Sequence, residues 1–349
     1  MVAQEPPGGD DRRMAYWCVA RRAMACEFSV LLPPTTPGAM AVAEAALDEI
    51  DAMEALLSVY RSDSAVSYLN QYAADGPVRV DDRLFRLLKR SARLTEQTGG
   101  AFDVSAGALI RASGFVVGPR RLLGTAERRA ALARTGMHLV EFDDRKGTVR
   151  HRAKGVELNL GSIGKGYAID RAIRRMREGF GIDVALIQGG LSSTYGLGSP
   201  AGDGRGWLVG IQNPFDPGRR LATVRLRDRA LGTSGSANQY FEVNGRRYGH
   251  VLDPRTGRPA EELAAASVLA PDGATADALA TALLVMGLDK AADFCQNHPA
   301  IAALLVLKRE PAGRANLLPP VATFNLPPED VNLRPGQDPP GTRTVDLRT

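Results

Sequence analysis

The chain has 349 residues, of which 44% are hydrophobic and 24% are charged; this balance excludes a disordered or fibrous protein and predicts a globular one with one large or two closely packed domains. Its 44 Lys and Arg against 39 Asp and Glu leave a net charge of only +5, dispersed along the chain, which argues against a dedicated nucleic-acid binder. Three cysteines without a Cys-x-x-Cys pair argue against a disulfide scaffold and a structural zinc site.

The two ends of the chain differ in composition from the part between them. Residues 1–13 are polar and lack the basic and apolar regions of a signal peptide, so we expect a disordered lead. Residues 310–349 are rich in Pro and predict an extended or loosely docked tail without a core of its own, which leaves 14–309 as the folded domain. The longest apolar run, Ala278–Leu288, is too short to span a membrane. Together these features predict a cytoplasmic protein with no membrane span.

Hydrophobic periodicity predicts the helices and strands of this domain. In chain order they are a strand Phe28–Leu32, a helix from after Pro37 to about Ser58, a helix from Asp81 to Gly99, a strand Val156–Leu160, a helix after the loop Gly161–Gly166, strands Asp183–Gln188, Trp207–Gln212 and Ala222–Leu226, a helix over about Ala274–Met286, and a strand Ile301–Leu307. In the first helix Leu47, Ile50 and Leu57 fall on one face, which we expect to be buried.

A hairpin and an irregular order of elements indicate the fold class. Asn244-Gly245 lies between two β-prone runs, the pattern that most strongly predicts a two-residue hairpin turn. The predicted helices do not alternate strictly with the strands, as they would in a doubly wound parallel sheet. The sequence therefore predicts an α+β protein.

The stretch Val156–Asp170 predicts a strand, a glycine-rich turn and the start of a helix. Backbone N–H groups at a helix start, with Lys165 beside them, form a site that fits a phosphate. The alternative is a plain tight connection between strand and helix. The stretch is not a P-loop, because Asn159 and Gly166 stand where that motif needs Gly and Ser or Thr, and its glycines lack the Rossmann spacing.

A second candidate site lies on the predicted helix near residue 280. Asp277 and Thr281 are four residues apart, so their oxygens project from one face of the helix. A carboxylate and a hydroxyl suit a hard cation such as Mg²⁺, which also takes phosphate oxygens. The alternative is that Asp277 caps its own helix and Thr281 bonds back to its own turn.

His250 is the histidine with the most suggestive setting, where the return strand of the predicted hairpin meets an Asp-Pro-x-x-Gly turn. A polar residue at the end of a strand can reach a ligand, and an imidazole can act as a base near neutral pH. The alternative is a structural, hydrogen-bonded histidine.

These candidates belong to seven short blocks that follow one another along the chain. The blocks are Met24–Phe28, Tyr60–Asn70, Thr98–Ser105, Leu158–Ala168, Gln188–Gly190, Thr233–Ser236 leading to His250–Pro259, and Ala276–Thr281. In their residues and their order, the blocks resemble the ApbE family, the FAD:protein FMN transferases, over roughly residues 20–310. The most distinctive are His-x-x-Asp-Pro-x-Thr-Gly and Ala-Asp-Ala-x-x-Thr.

The resemblance implies an ApbE-like α+β fold over residues 14–309, with two closely packed α/β halves, mixed or antiparallel sheets, and FAD in the groove between the halves. The flavin-contacting positions that it implies are Met24, Tyr60, Ala101, Phe102, Asp103, Asn159, Lys165 and His250. The Mg²⁺ ligands that it implies are a main-chain oxygen of Ser162 with Asp277 and Thr281.

The activity implied by the resemblance is Mg²⁺-dependent transfer of FMN from FAD to a Ser or Thr hydroxyl of an acceptor protein, with release of AMP. Mg²⁺ and Lys165 would neutralise charge that builds on the pyrophosphate, and His250 would accept the hydroxyl proton as the catalytic base. Water in place of the hydroxyl would make the protein an FAD pyrophosphatase that gives FMN and AMP, so that alternative stays open.

Four positions depart from the residues common in this family. Asn159 stands where the family commonly has Asp, Leu191 stands where an acidic residue often follows Gly-Gly, and Ala25-Cys26 replaces the usual Gly-Thr. Losing two carboxylates could weaken the binding of FAD or the metal. The departures therefore keep open a further alternative, a diverged flavin-binding protein without catalysis.

Overall fold

The structure is a computed structural model that describes residues 16–200, 204–235, 240–243, 245–308 and 319–333. The described residues form the α-helices α1 (Ala39–Leu57), α2 (Ala65–Tyr72), α3 (Asp82–Gln97), α4 (Gly107–Ala112), α5 (Thr125–Leu132), α6 (Gly164–Phe180), α7 (Gly273–Met286) and α8 (Leu288–Asn297). The strands are β1 (Trp17–Ala23), β2 (Cys26–Leu32), β3 (Val78–Arg79), β4 (Val140–Asp143), β5 (Thr148–His151), β6 (Ala185–Gly189), β7 (Ser193–Leu197), β8 (Trp207–Asn213), β9 (Asp216–Leu226), β10 (Arg229–Gly235), β11 (Tyr240–Val243), β12 (Arg246–Gly249), β13 (Leu252–Asp253), β14 (Arg258–Pro259), β15 (Leu263–Ala270), β16 (Ala302–Leu307), β17 (Val321–Phe324) and β18 (Val331–Asn332).

A central sheet of eight strands organises the protein. Its order is β1-β2-β6-β7-β10-β15-β16-β17, and every neighbouring pair is antiparallel. The smaller sheets are β18-β9-β8, β3-β5-β4 and the hairpins β11-β12 and β13-β14. Helices combined with antiparallel sheets confirm the predicted α+β class.

The two faces of the central sheet bury different layers. In β2, Phe28 and Val30 belong to the core that the sheet shares with α1, α6 and α7, while Leu31 belongs to a second core. That second core includes Trp207 and Val224 of the sheet β18-β9-β8. Alternate residues of a strand point to opposite faces, so a sheet covered on both sides is apolar along most of its length.

Part of the Pro-rich tail takes part in this fold. Strand β17 pairs with β16 at the edge of the central sheet, and β18 pairs with β9. Two short strands of the tail are thus docked by backbone hydrogen bonds, and a 3₁₀ helix, Pro328–Asp330, lies between them. Residues 310–318 and 334–349 of the tail, and the lead at 1–13, lie outside the described residues.

Most of the predicted elements are present. The first helix is α1, and Leu47, Ile50 and Leu57 are buried as predicted. The predicted hairpin is β11-β12, where Tyr240 pairs with Gly249; Asn244 of its turn lies outside the described residues. None of the helices in the described part of the chain is long and apolar enough to cross a bilayer.

The predicted strand Val156–Leu160 is wrong. Only Glu157 makes a β-bridge, to Ala106, and the rest of the segment is extended without strand pairing. The side chain of Asn70 takes the place of a partner strand, because it donates to the carbonyl of Leu158 at 2.9 Å and accepts from its N–H at 2.8 Å. The helix α6 also begins earlier than predicted, at Gly164.

Candidate functional site

The glycine-rich block forms a tight turn that leads directly into α6. The side-chain oxygen of Asn159 accepts a hydrogen bond from the N–H of Gly161 at 2.9 Å, and the N–H of Asn159 donates to Val104 O at 2.7 Å. Ser162 follows, half-buried, and the apolar Ile163 stands at the position before the helix. Because Ile163 has no polar side chain to cap the helix, the first N–H groups of α6 need partners from elsewhere.

Lys165 places a positive charge at this end of α6. It lies in the first turn, half-buried, and its Nζ donates a hydrogen bond to Ser192 Oγ. Ser192 lies just after β6, and its hydroxyl is 3.3 Å from that of Ser193. A helix N-terminus already carries a partial positive charge, so Lys165 makes this end of α6 strongly attractive to an anion.

Asp277 of α7 brings a buried carboxylate to the same place. It is 7% exposed, and its Oδ2 accepts the N–H of Gly166 at 2.7 Å. Ser193 Oγ lies 2.8 and 3.0 Å from its two oxygens. Burial raises the pKa of the Asp277 carboxyl to about 6, and the charge of Lys165 limits the rise. The structure thus brings the predicted phosphate ligand and the predicted metal ligand together.

Thr281 lies one turn beyond Asp277 on α7. Its hydroxyl is 2.9 Å from Ser234 Oγ and donates to the carbonyl of Asp277 at 3.3 Å. The back-bonding alternative for Thr281 is therefore realised, but the capping alternative for Asp277 is wrong. Asp272 caps α7 instead, since it accepts the N–H of Thr275 at 2.9 Å.

The donors around Asp277 suit a hard cation. The carboxylate of Asp277 and the hydroxyl of Thr281 supply oxygen only, the ligand type that Mg²⁺ prefers. Within the residues that the structure describes, no three His, Cys, Asp or Glu side chains form a metal-binding group. A cation here would therefore be held by one protein carboxylate and would leave positions for oxygens of a substrate.

Met24 contacts the start of α6, and Tyr60 is exposed just after α1. Met24 and Ala25 form the two-residue turn between β1 and β2, with φ of +50° and +62°. A Cβ placed on Gly164 would lie 3.3 Å from Met24 Cε, so this side chain rests against the first turn of α6. Tyr60 follows α1 and is 70% exposed, which leaves its ring face available to a planar ligand.

The block Thr98–Ser105 contains two buried residues and a carboxylate that is held by hydrogen bonds. Ala101 and Phe102 are fully buried. The carboxylate of Asp103 accepts from Ser105 N–H at 2.8 Å, from Ser105 Oγ at 2.6 Å and from Met137 N–H at 3.2 Å. Burial raises the pKa of Asp103, and these hydrogen bonds oppose the rise. In this structure Asp103 holds its own loop to the loop at Met137.

His250 lies among aromatic side chains. Its half-buried ring is 6.4 Å from the ring of Phe115, edge to face, and Phe115 is 5.7 Å from Phe241 of the hairpin β11-β12. Phe241 in turn stacks on Tyr248 at 5.7 Å. The predicted base His250 therefore belongs to an aromatic cluster that the hairpin β11-β12 forms with the loop at Phe115.

The turn after His250 lies against the loop that carries Gly100 and Asp103. Arg255 donates to the carboxylate of Asp253 at 2.9 and 3.0 Å, and a Cβ on Gly100 would lie 3.3 Å from Arg255 Cγ. Arg255, Gly100, Asp103 and His138 line a cavity of about 700 Å³. Two blocks that are 150 residues apart in the sequence thus meet at one cavity.

The residues that hold Lys165 and Asp277 in place were not predicted from the sequence. Ser192 and Ser193 fix Lys165 and Asp277, Ser234 contacts Thr281, and Asp170 binds the start of α7. Ser234 lies in a block that the resemblance had already singled out, and Ser192 and Ser193 follow the Gly-Gly pair. Their position beside these blocks was the available signal, but their roles depend on contacts that the sequence does not display.

Comparison with known proteins shows which family the chain belongs to. The family model described as the ApbE family matches residues 24–305. The chain is 34% identical over 282 residues to the FAD:protein FMN transferase of Treponema pallidum, covering 75% of this chain and 77% of that protein. It is 32% identical over 285 residues to the enzyme of the same name from Salmonella typhimurium, covering 79% of each.

The fold is also found in solved structures. The crystal structure of the ApbE protein from Thermotoga maritima superposes with a TM-score of 0.77 at 31% identity, covering 84% of this chain and 94% of that one. The apo form of the flavinyl transferase ApbE from Pseudomonas stutzeri gives a TM-score of 0.74 at 26% identity, covering 85% and 92%.

Proposed function

Since this chain belongs to the ApbE family, we propose that it is a Mg²⁺-dependent enzyme that transfers FMN from FAD to a Ser or Thr hydroxyl of an acceptor protein and releases AMP. Transfer of FMN from FAD to a protein is the activity in the names of its relatives, and this chain is a flavin transferase. The metal, the leaving group and the hydroxyl acceptor are the parts that the proposal adds. The cytoplasmic location predicted from the sequence belongs to the same proposal.

The observation that carries the proposal is that Lys165 and Asp277 both lie at the N-terminal end of α6, where the adjacent residues Ser192 and Ser193 bind them. A pyrophosphate needs positive charge and N–H donors, which Lys165 and the helix start supply. Attack at one phosphorus adds charge to its oxygens and to the bridging oxygen that leaves with AMP. Lys165 is already fixed by Ser192 and stabilises that charge without reorganisation.

The residues around Asp277 fit a divalent cation. An ionised carboxylate that is 7% exposed is costly, and Lys165 is the cation that moderates its raised pKa. Asp277, Thr281 and the main-chain oxygen of Ser162 would hold the metal. When bound, Mg²⁺ supplies Lewis-acid neutralisation of the phosphate oxygens.

We assign the proton transfer to His250. The acceptor hydroxyl forms the new O–P bond and gives its proton to a ring nitrogen of His250, while the bond from that phosphorus to the bridging oxygen breaks and AMP leaves with this oxygen. The FMN remains on the acceptor as a phosphoester. The ring of Phe115 lies edge to face with the imidazole at 6.4 Å.

The remaining predicted residues would bind the rest of FAD. The exposed ring of Tyr60 and the side chain of Met24 are available to the flavin beside α6. Ala101 and Phe102 are buried beneath the loop that carries Asp103, so we propose that they shape the floor of the site. Asn159 holds the turn before α6 and acts on the phosphates through that turn.

One incubation tests the proposal against its alternatives. Purified protein is mixed with FAD and Mg²⁺, with and without a candidate acceptor protein, and AMP and covalently bound flavin fluorescence are measured. We expect AMP release coupled to a fluorescent acceptor band, and neither in EDTA. Release of AMP and FMN at the same rate without an acceptor identifies a pyrophosphatase, whereas FAD binding without AMP identifies a non-catalytic flavin-binding protein.

A further inference from the structure

The helices α6 and α7 cross so closely that their backbones touch. A Cβ added to Gly166 would lie 2.0 Å from the carbonyl oxygen of Gly273, and a Cβ added to Gly273 would lie 2.5 Å from that of Gly166. Both distances are far shorter than any real contact of a Cβ atom. The crossing therefore requires glycine on both helices, and it fixes the first turn of each helix against the other.

At this crossing each helix supplies a carboxylate to the start of the other. Asp277 of α7 accepts the N–H of Gly166 at 2.7 Å. In return, Asp170 of α6 accepts the N–H of Gly273 at 2.6 Å through Oδ1 and that of Ala274 at 2.9 Å through Oδ2. First-turn N–H groups have no partner in their own helix, so these contacts satisfy donors that would otherwise be buried and unpaired.

Asp170 is half-buried, and its surroundings only partly offset the cost of desolvating its carboxylate. Desolvation raises the pKa of Asp170, the neighbouring charge of Asp272 raises it further, and the two N–H donors and Arg90 lower it. Arg90 also contacts Asp272 and Thr275. Three charged groups, Asp170, Asp272 and Arg90, thus meet at the start of α7, more than a single ordinary cap requires.

We propose that Asp170 is a positioning residue for the transfer reaction, which holds the first turn of α7 so that Asp277 stands in the right place beside Lys165. The inference rests on the proposed role of Asp277 as the metal-binding carboxylate. Asp277 lies four residues after Gly273, so a shift of the first turn carries Asp277 with it. Residues that orient a metal ligand commonly change metal affinity 10- to 100-fold when they are replaced.

The test compares Asp170→Asn with the parent protein and with Asp81→Asn. The side-chain amide of Asn has one oxygen acceptor and one NH₂ donor. It can therefore accept from only one side, and at least one of the two hydrogen bonds to the N–H groups of Gly273 and Ala274 is lost. Asp81 is also a carboxylate that caps a helix, accepting Arg83 N–H at 2.7 Å at the start of its own helix α3, and it serves as the control because the side-chain hydrogen bonds described for it all go to Arg83. Mg²⁺ affinity is measured by calorimetric titration with FAD present, and hydrogen exchange reports the amides of Gly273 and Ala274.

We expect Asp170→Asn to weaken Mg²⁺ binding by about 10-fold or more, to speed exchange at Gly273 and Ala274, and to leave riboflavin binding unchanged. Asp81→Asn should bind Mg²⁺ like the parent. Faster exchange at both amides with parental Mg²⁺ affinity would overturn the inference, because the cap would then be lost without consequence for Asp277.

Two further variants keep the result interpretable. If Asp170→Asn does not fold, Asp170→Glu replaces it, because Glu keeps the carboxylate but displaces it by one methylene. Parental Mg²⁺ affinity in Asp170→Glu, together with altered hydrogen exchange at Gly273 and Ala274, would again overturn the inference. Asp277→Ala separates the two proposals. Parental Mg²⁺ affinity in Asp277→Ala refutes the metal site itself, whereas loss there and none in Asp170→Asn refutes only the role of Asp170.

Discussion

Replacing Lys165 by Met removes the charge at the start of α6 and keeps the length of the side chain. A charge-assisted hydrogen bond to a phosphate is worth about 1.5–3 kcal/mol. The loss should therefore weaken FAD binding by about 10- to 150-fold. Riboflavin has no phosphate, so its affinity should change by much less.

The same substitution should also alter the titration of Asp277. With its pKa at about 6, the parent carboxyl is about nine-tenths ionised at pH 7, and Mg²⁺ affinity should fall as the pH drops through 6. Lys165 is the group that holds this pKa down against burial. In Lys165→Met the pKa rises further, so the fall in Mg²⁺ affinity should begin at a higher pH.

Both effects are measurable by titration. Quenching of flavin fluorescence gives the affinities for FAD and riboflavin, and Mg²⁺ titrations between pH 5.5 and 8 give the second effect. Lys89→Met is the control, because Lys89 pairs with Asp144 on the surface and its loss removes one charge elsewhere. Equal losses for FAD and riboflavin together with a parental pH profile would show that Lys165 has only a structural role.

Four further results are expected. Asp277→Ala should abolish Mg²⁺-dependent AMP release while keeping the parental melting temperature within a few degrees, and Thr281→Ala should reduce it less; parental turnover in Asp277→Ala contradicts the metal assignment. His250→Asn should lower transfer at saturating FAD by about 10²–10⁴-fold; recovery of the full rate at high FAD would exclude a base. Ala25→Gly should raise the free energy of unfolding by about 1 kcal/mol, because Ala25 has φ of +62° in the β1-β2 turn; no gain in urea unfolding would show that the turn tolerates Ala without strain. Burial lowers the pKa of His151 to about 4, so the unfolded chain takes up a proton at this residue before the folded chain does as the pH falls below about 6.5. The parent should therefore lose about 2 kcal/mol of its free energy of unfolding from this group between pH 6.5 and 5, and His151→Leu should not. Equal losses in the two proteins would refute the assignment.

The sequence by itself determined the elements that have a strong local period. The buried stripe of α1 was predicted because spacing along the chain decides which face of a helix is apolar, and the hairpin was predicted because Asn-Gly favours a two-residue turn. The order of the seven blocks was likewise sufficient for the family, which the comparisons confirm. Lys165, Asp277 and Thr281 were named from these local patterns alone.

Only the tertiary structure decided how those residues are held. The segment Val156–Leu160 looks like a strand in sequence, yet the side chain of Asn70, 88 residues away, satisfies the backbone at Leu158. The bond from Gly166 to Asp277 joins residues 111 apart, and that from Gly273 to Asp170 joins residues 103 apart. Periodicity reports which face of an element is buried, but not which element covers it, so the exchange of carboxylates between α6 and α7 exists only once the sheet has brought the two helices together.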